Sequence, residues 1–554
     1  MKISMYVAAV LAGAAALAGC SKQPETTGGA ATAPAAQTGP ALGIRPTGDE
    51  EIQIDLSQIK SDELKKVFEH IDANIDQHVA NLQKWIQQPS VSNTGEGIQE
   101  SAEMVKSFFD QLGCQQTEIY EPGLTDWGQQ GNPVVYANCD EGAEKTVVIY
   151  WMYDTMPVTQ PDLWKAPPFE GQLVEQAPFK KVLIGRGATN SKGPQMVELN
   201  ALMAIKAVTG TLPVNIIFVA DGDEERMSMG YRKFMTEHPE KFAKADAMFL
   251  FGGQSASGGG RLGAGSEGLF YVELTTSGEK WGQGPNYSDI HGGNKRTVAS
   301  PAWRHMRMLS TLIDEDTNKV LIDGFYDNVA PIPAAAEEAM RKEAAQLDLK
   351  KAAQNLGVEK FFTDDPYTYI KQARFGMSFN LDGVWGGNMF AGGSGSILPN
   401  KVVSKHSFRY VPNVTSEELL TKLRKHLDKR GYNDVEINVI GDMPWSKVET
   451  NTEIGRAVVK MMDAFNMQHG KLSDEPSITL FSGAGMNMMA PAWPAYLVRN
   501  DKLKLPVMSG SAGFGGNAHA ANEFYVIEGA GKVYGMAGAE KSIATVLYNF
   551  AGKN

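Results

Sequence analysis

Thr146-Val147-Val148-Ile149-Tyr150-Trp151 is a short, almost unbroken apolar run, and Val214 to Ala220 and Ala247 to Phe251 repeat the pattern. A strand with no polar face must be covered on both sides. A helical stretch from Pro194 to Val208 separates the first run from the second. Strands of this kind alternating with helices predict an α/β layer with a mainly parallel sheet. Ligands of such sheets gather beyond the carboxyl ends of the strands, so chemistry is expected there. Upstream, Leu64, Val67, Phe68, Ile71, Ile75, Val79, Leu82 and Ile86 recur at spacings of three and four. That stripe predicts one helix from near Ser61, ended by Pro89.

The pattern changes near Leu269. Phe270 to Thr275 reads as a half-exposed strand, Pro301 to Ile313 as an amphipathic helix, Lys401 to Tyr410 as a strand and Ser416 to Lys429 as a helix. These predict an α+β unit inserted into the first domain, with α/β character resuming near Thr450 and a helix over Asn451 to Phe465. Gly252 to Gly260 is glycine-rich but lacks the spacing of a phosphate loop, and reads as a mobile loop.

With 52 basic and 64 acidic residues the formal charge is −12, which excludes a nucleic-acid backbone as partner. Lys2 followed by an apolar run from Met5 reads as a signal peptide over 1–19. Its ending, Leu17-Ala18-Gly19-Cys20, resembles a bacterial lipoprotein box, which implies cleavage before Cys20 and lipidation of its thiol. Ser21 in place of an aspartate favours an outer-membrane lipoprotein facing the periplasm, touching the membrane through that anchor only. Residues 20–55, whose early part is rich in Ala, Thr, Gly, Pro and Gln, read as a flexible tether. Cys114 and Cys139 would then sit in an oxidising compartment, where pairing is open to them.

Two carboxylates directly after a buried strand, Glu224 and Glu225, are costly unless something binds them. They belong to one of five segments: Tyr153 to Val158, Gly185 to Gly193, Asp221 to Glu225, Phe408 to Pro412 and Asn517 to Glu523. In order and spacing these together resemble the M20 family of metallopeptidases, of the carnosinase and carboxypeptidase G type. The resemblance implies a zinc-peptidase-like catalytic domain over 56–267 and 443–554. It also implies an inserted lid and dimerisation domain over 268–442, and hence a homodimer. The implied activity is hydrolysis of amide bonds in small peptides or N-acyl amino acids. Zinc serves that chemistry by bringing the pKa of bound water towards about 7.

Residue by residue, the resemblance makes Glu224 the general base and Glu225 and His519 metal ligands. Asn190 stands at the shared carboxylate, and Asp154 at the residue that orients a metal-bound histidine. His291 falls where a lid histidine meets the substrate or the tetrahedral intermediate, and Arg409 where an arginine grips a substrate carboxylate. Ser394 and Gly516 lie in turns resembling substrate-contacting loops. Two ligand positions are substituted: Met152 replaces a histidine and Gly252 an acidic residue. Both belong to the same ion, so the expectation is a single zinc on Glu225, His519 and Asn190. Three protein ligands are what a catalytic zinc needs beside its water. The alternative is a protein of this fold that binds a small peptide or metabolite without hydrolysing it. Glu267 reverses the charge of the arginine usual before Gly268, and the sequence offers no reason for it.

Overall fold

The structure, a computed structural model, describes residues 40–554 except 264, 333, 390, 391, 393, 483–486, 490–492 and 501. The expected signal peptide, the lipidation site Cys20 and the tether up to residue 39 lie outside the described residues. The rest of the expected tether is docked rather than flexible. The Asp76 carboxylate accepts the backbone N–H groups of Leu42 (2.8 Å), Gly43 (3.1 Å) and Ile44 (2.8 Å). Arg45 pairs with Glu528 at 2.7 Å, and Asp49–Glu50 runs parallel to Ala530–Gly531. Polar composition hid these long-range partners.

The predicted first helix is two, α1 (Asp62–Ala73) and α2 (Ile75–Ile86), interrupted at Asn74. Ser61 caps α1 by accepting the Leu64 N–H at 3.2 Å. The apolar stripe crosses the break because both segments face the same core. Helix α3 (Ile98–Leu112) leads to β1 (Gln116–Tyr120) and β2 (Val134–Cys139), and a Cys114–Cys139 disulfide ties the end of α3 to β2. Next come β3 (Thr146–Met152), the hairpin β4 (Gln172–Gln176) and β5 (Phe179–Ile184), α4 (Lys192–Thr209), β6 (Asn215–Asp221), α5 (Met229–Glu237) and β7 (Ala247–Leu250). An additional domain then supplies β8 (Gly268–Ser277), α6 (Pro301–Leu309), β9 (Ser378–Trp385), β10 (Lys401–Tyr410), α7 (Ser416–Lys429) and β11 (Glu436–Met443). The chain closes with α8 (Glu453–Ala464), β12 (Val507–Ser509), β13 (Gly515–Gly516), β14 (Phe524–Glu528) and α9 (Met536–Phe550).

The central sheet has the order β1-β2-β6-β3-β7-β12. Its β6, β3, β7 and β12 are mutually parallel, and β1 and β2 join antiparallel at one edge. Successive side chains of β3 serve two cores: Val147, Ile149 and Trp151 meet α1–α4, α8 and α9, while Val148 and Tyr150 meet α5. This is why the run has no polar position. The second sheet, β9-β10-β8-β11, is antiparallel throughout. One of its faces (Phe270, Val272, Leu274, Phe408) packs on α6 and α7 through Met308, Leu419 and Leu423. The other carries Tyr271, Glu273, Lys405 and Arg409, the half-exposed alternation read from the sequence.

The glycine-rich segment is a pinned turn and not a mobile loop. The buried Gln254 amide donates to the carbonyls of Gly258 (2.9 Å) and Lys532 (2.8 Å) and accepts from Gly513 N–H (3.2 Å) and Tyr534 N–H (2.9 Å). Among the described residues no helix is long and apolar enough to cross a membrane.

Candidate metal site and substrate cavity

β3 and β6 run side by side and end level, Met152 opposite Asp221. The chain beyond each end delivers acids: Asp154 after β3, and Glu224 and Glu225 on a single helical turn after β6. Asp154 is fully buried, and its two oxygens accept the N–H groups of Glu224 (3.2 Å) and Glu225 (3.0 Å). It therefore orients the glutamate-bearing turn, a task for a carboxylate that the Met152 substitution leaves with no imidazole to orient. Burial, then Asp221 and Glu225, push its carboxyl well above the ordinary range. Burial and Asp223 push Asp221 up to about 7. Glu224 is raised by burial and by Glu225 and Asp154, and its carboxyl has no hydrogen-bond partner among the described residues.

Three of the expected residues meet. Asn190 Nδ2 lies 2.8 Å from Glu225 Oε1 and 3.0 Å from His519 Nε2, and His519 Nε2 lies 3.0 Å from Glu225 Oε1. The hydrogen bond that the His519 imidazole donates to Glu225 raises its pKa. A residue that the sequence reading left without a role positions this triangle. Glu523, buried, accepts the backbone N–H groups of Gly187 (3.0 Å), Thr189 (3.0 Å) and Asn190 (2.8 Å), and pairs with buried Arg186 at 2.8 Å. Its signal was present, an acid closing the same short segment as His519, but its partners lie more than 300 residues upstream.

The donors suit one divalent ion. Zinc takes nitrogen and oxygen ligands at about 2.0–2.2 Å, which places neighbouring ligand atoms of a tetrahedral site roughly 3.4 Å apart. The triangle needs only slight opening and a turn of the Asn190 amide that brings Oδ1 inward. Glu225, only 5% exposed, calls for the positive charge. At the expected positions of a second ion the described residues offer no comparable donors. Met152 offers a buried thioether, a ligand for softer metals. A Cβ at Gly252 would lie 2.5 Å from Gly510 Cα, so no acid fits there. Among the described residues no three of His, Cys, Asp and Glu gather as a metal cluster, because the third member of the triangle is an amide.

Of the remaining expected residues, Arg409 is placed where its charge acts on Glu224, and the others stand apart. His291 is exposed, and its Nδ1 accepts the Gly293 N–H of its own turn at 3.1 Å. Ser394 is exposed too, and Gly516 lies on β13 against the Phe524 ring. Arg409 is not a free clamp: its Nη1 donates to Glu267 Oε1 at 2.5 Å. The charge reversal at Glu267 thus has a structural counterpart, an ion pair joining β10 to the residue just before β8.

Between the triangle and the exposed face of the second sheet is a cavity of about 550 Å³, within the range of small-molecule sites. Glu225, Arg226 and His519 line one side; Tyr271, Glu273 and Lys405 line the other.

Acids at parallel strand ends and an imidazole from the loop before β14, facing an antiparallel sheet across a cavity, form an arrangement of the metallopeptidase class. The chain belongs to peptidase family M20/M25/M40, whose sequence profile matches residues 150–534. It is 28% identical over 379 residues to the Cys-Gly metallodipeptidase DUG1 of Candida albicans, covering 66% of this chain and 75% of that one. Among solved structures it resembles the dipeptidase Dug1p of Saccharomyces cerevisiae, with TM-score 0.74, 25% identity, and 88% and 98% of the two chains covered. It also resembles the M20 family metallo-carboxypeptidase Sso-CP2 of Sulfolobus solfataricus, with TM-score 0.69, 26% identity and coverage of 86% and 99%.

Proposed function

We propose that this protein hydrolyses the amide bond of small peptides, dipeptides above all, or of N-acyl amino acids, with one zinc ion held by Asn190, Glu225 and His519. The observation that carries the reading is the triangle of those residues, two of which, Glu225 and His519, line the cavity, with Glu224 close enough for the Glu225 charge to act on it. Bound zinc would polarise the carbonyl and acidify a water. Burial among carboxylates makes Glu224 a stronger base than a solvated glutamate, suited to take the water's proton and return it to the departing amine. The dipeptidase names of the relatives support the substrate class.

The same reading includes the lipoprotein anchor at Cys20 and a periplasmic setting, which the Cys114–Cys139 disulfide supports. It also includes a homodimer through the additional domain. β9 is that sheet's edge strand and exposes Leu381 and Trp385, while α6 exposes Trp303 and Met306. His291 does not line the cavity of its own chain, and a dimer would allow the lid of a second copy to present it.

Elemental analysis of the purified protein, joined to a Glu224→Gln comparison on a dipeptide panel, tests the proposal. One zinc per chain and turnover reduced by about 10²–10⁴-fold are expected. Absence of both metal and turnover, with dipeptides still raising the melting temperature, would replace hydrolysis by simple binding, the reading that Met152 and Gly252 favour.

A further inference from the structure

A carboxylate entering a cavity of this kind must be met by a cation, or its desolvation goes uncompensated. Arg226, Lys405 and the His519 imidazole line the cavity, and two of the three are already committed. Arg226 pairs with Asp223 at 3.2 Å and donates to the Gln130 carbonyl at 2.9 Å and the Asn132 side-chain oxygen at 3.3 Å. His519 belongs to the triangle with Glu225 and Asn190. The third, Lys405, has no ion pair or hydrogen bond from its ammonium among the described residues. It stands directly across β8 and β10 from Glu273, yet its Nζ lies 5.3 Å from the centre of the Tyr271 ring instead of pairing with that carboxylate. Glu273 is engaged from the other side, accepting from Asn438 Nδ2 at 3.3 Å. Arg409, four residues along the same strand and on the same face, is held by Glu267 and does not line the cavity.

We propose that Lys405 takes the carboxylate of the substrate and so selects peptides with a free C-terminus, while Arg409 is a positioning residue locked to Glu267. This rests on the small-peptide reading above. The ammonium is a compact charge on a flexible stem, able to leave the Tyr271 face for an incoming anion without breaking an existing ion pair. Arg409 would have to give up Glu267, leaving a largely buried carboxylate unpaired.

Calorimetric binding to the zinc-loaded Glu224→Gln protein separates recognition from turnover. Alanyl-glycine and alanyl-glycinamide are the probes, measured with Lys405 present, with Lys405→Met and with Lys405→Arg. Lys405→Met is expected to weaken alanyl-glycine by about tenfold or more, the scale of a charged hydrogen bond, and to leave the amide within about twofold. Lys405→Arg should restore most of the loss, and Arg409→Met should leave the preference for the acid over the amide in place. Equal weakening of acid and amide by Lys405→Met, binding of neither probe, or loss of the preference in Arg409→Met alone would overturn the assignment. If the unsubstituted protein shows acid-selective binding through Lys405 but no turnover, the hydrolase reading fails and the carboxylate site stands.

Discussion

Glu523 organises more of the site than any other single side chain. One carboxylate gathers three amides of one loop and a buried guanidinium, so the segment carrying Asn190 has one geometry only while that charge is present. Replacing it by glutamine puts an NH₂ group where an acceptor is needed and leaves Arg186 buried and unpaired. We expect Glu523→Gln to cost about 3–5 kcal/mol in urea unfolding. Zinc should bind at least tenfold more weakly by competition titration, as is common when an outer partner of a ligand is lost. Unchanged zinc affinity would show that Asn190 needs no such support. The positions of Glu224, Glu225, Asn190 and His519 were legible in the sequence because each sits in a short segment of distinctive order. The Arg409–Glu267 pair was not, because its members are 142 residues apart and only the β8–β10 register brings them together.

At the scale of elements, the additional domain buries three histidines, His305, His406 and His426, and the first two most of all make it sensitive to acid. His406 on β10 is stacked on Phe379 with ring centres 4.7 Å apart, donates from Nδ1 to the Asn380 carbonyl (3.1 Å) and accepts at Nε2 from the Ser404 hydroxyl (2.7 Å). His305 on α6 lies 2.9 Å from the Thr276 hydroxyl. Burial pulls both down to about 4. Unfolded, each would titrate near 6.5, so the unfolded chain takes up protons first as pH falls. Stability is therefore highest above pH 6.5 and declines through the window down to about 4. From pH 7 to pH 5 each histidine should remove about 2 kcal/mol from the unfolding free energy of this domain. His406→Gln should make the urea midpoint less dependent on pH over that interval; an unchanged slope would mean that the imidazole is charged in the folded state.

For the whole molecule the decisive question is what covers β9 and α6. The edge strand β9, with exposed Leu381 and Trp385, and helix α6, with exposed Trp303 and Met306, are the surfaces by which the proposed dimer would form. Analytical ultracentrifugation should give twice the chain mass for the parent protein and a monomer for the Leu381→Lys, Trp303→Glu double variant. A parent that sediments as a monomer at micromolar concentration sinks the dimer.

The periodicities of apolar residues determined the layer type, the order of the main strands and helices, and the existence of an inserted unit, because burial on one face or two is written locally, residue by residue. The five motif segments determined the family, and they named the residues that the fold gathers at the strand ends. What only the tertiary structure decided is which charges are spent. Whether an arginine is a clamp or half of an ion pair, whether a glycine can accept an acid, and whether a polar stretch such as 42–55 is loose or docked all depend on partners distant in the chain. Electrostatic pairing and steric room are properties of close approach in space, and one-dimensional order does not contain them.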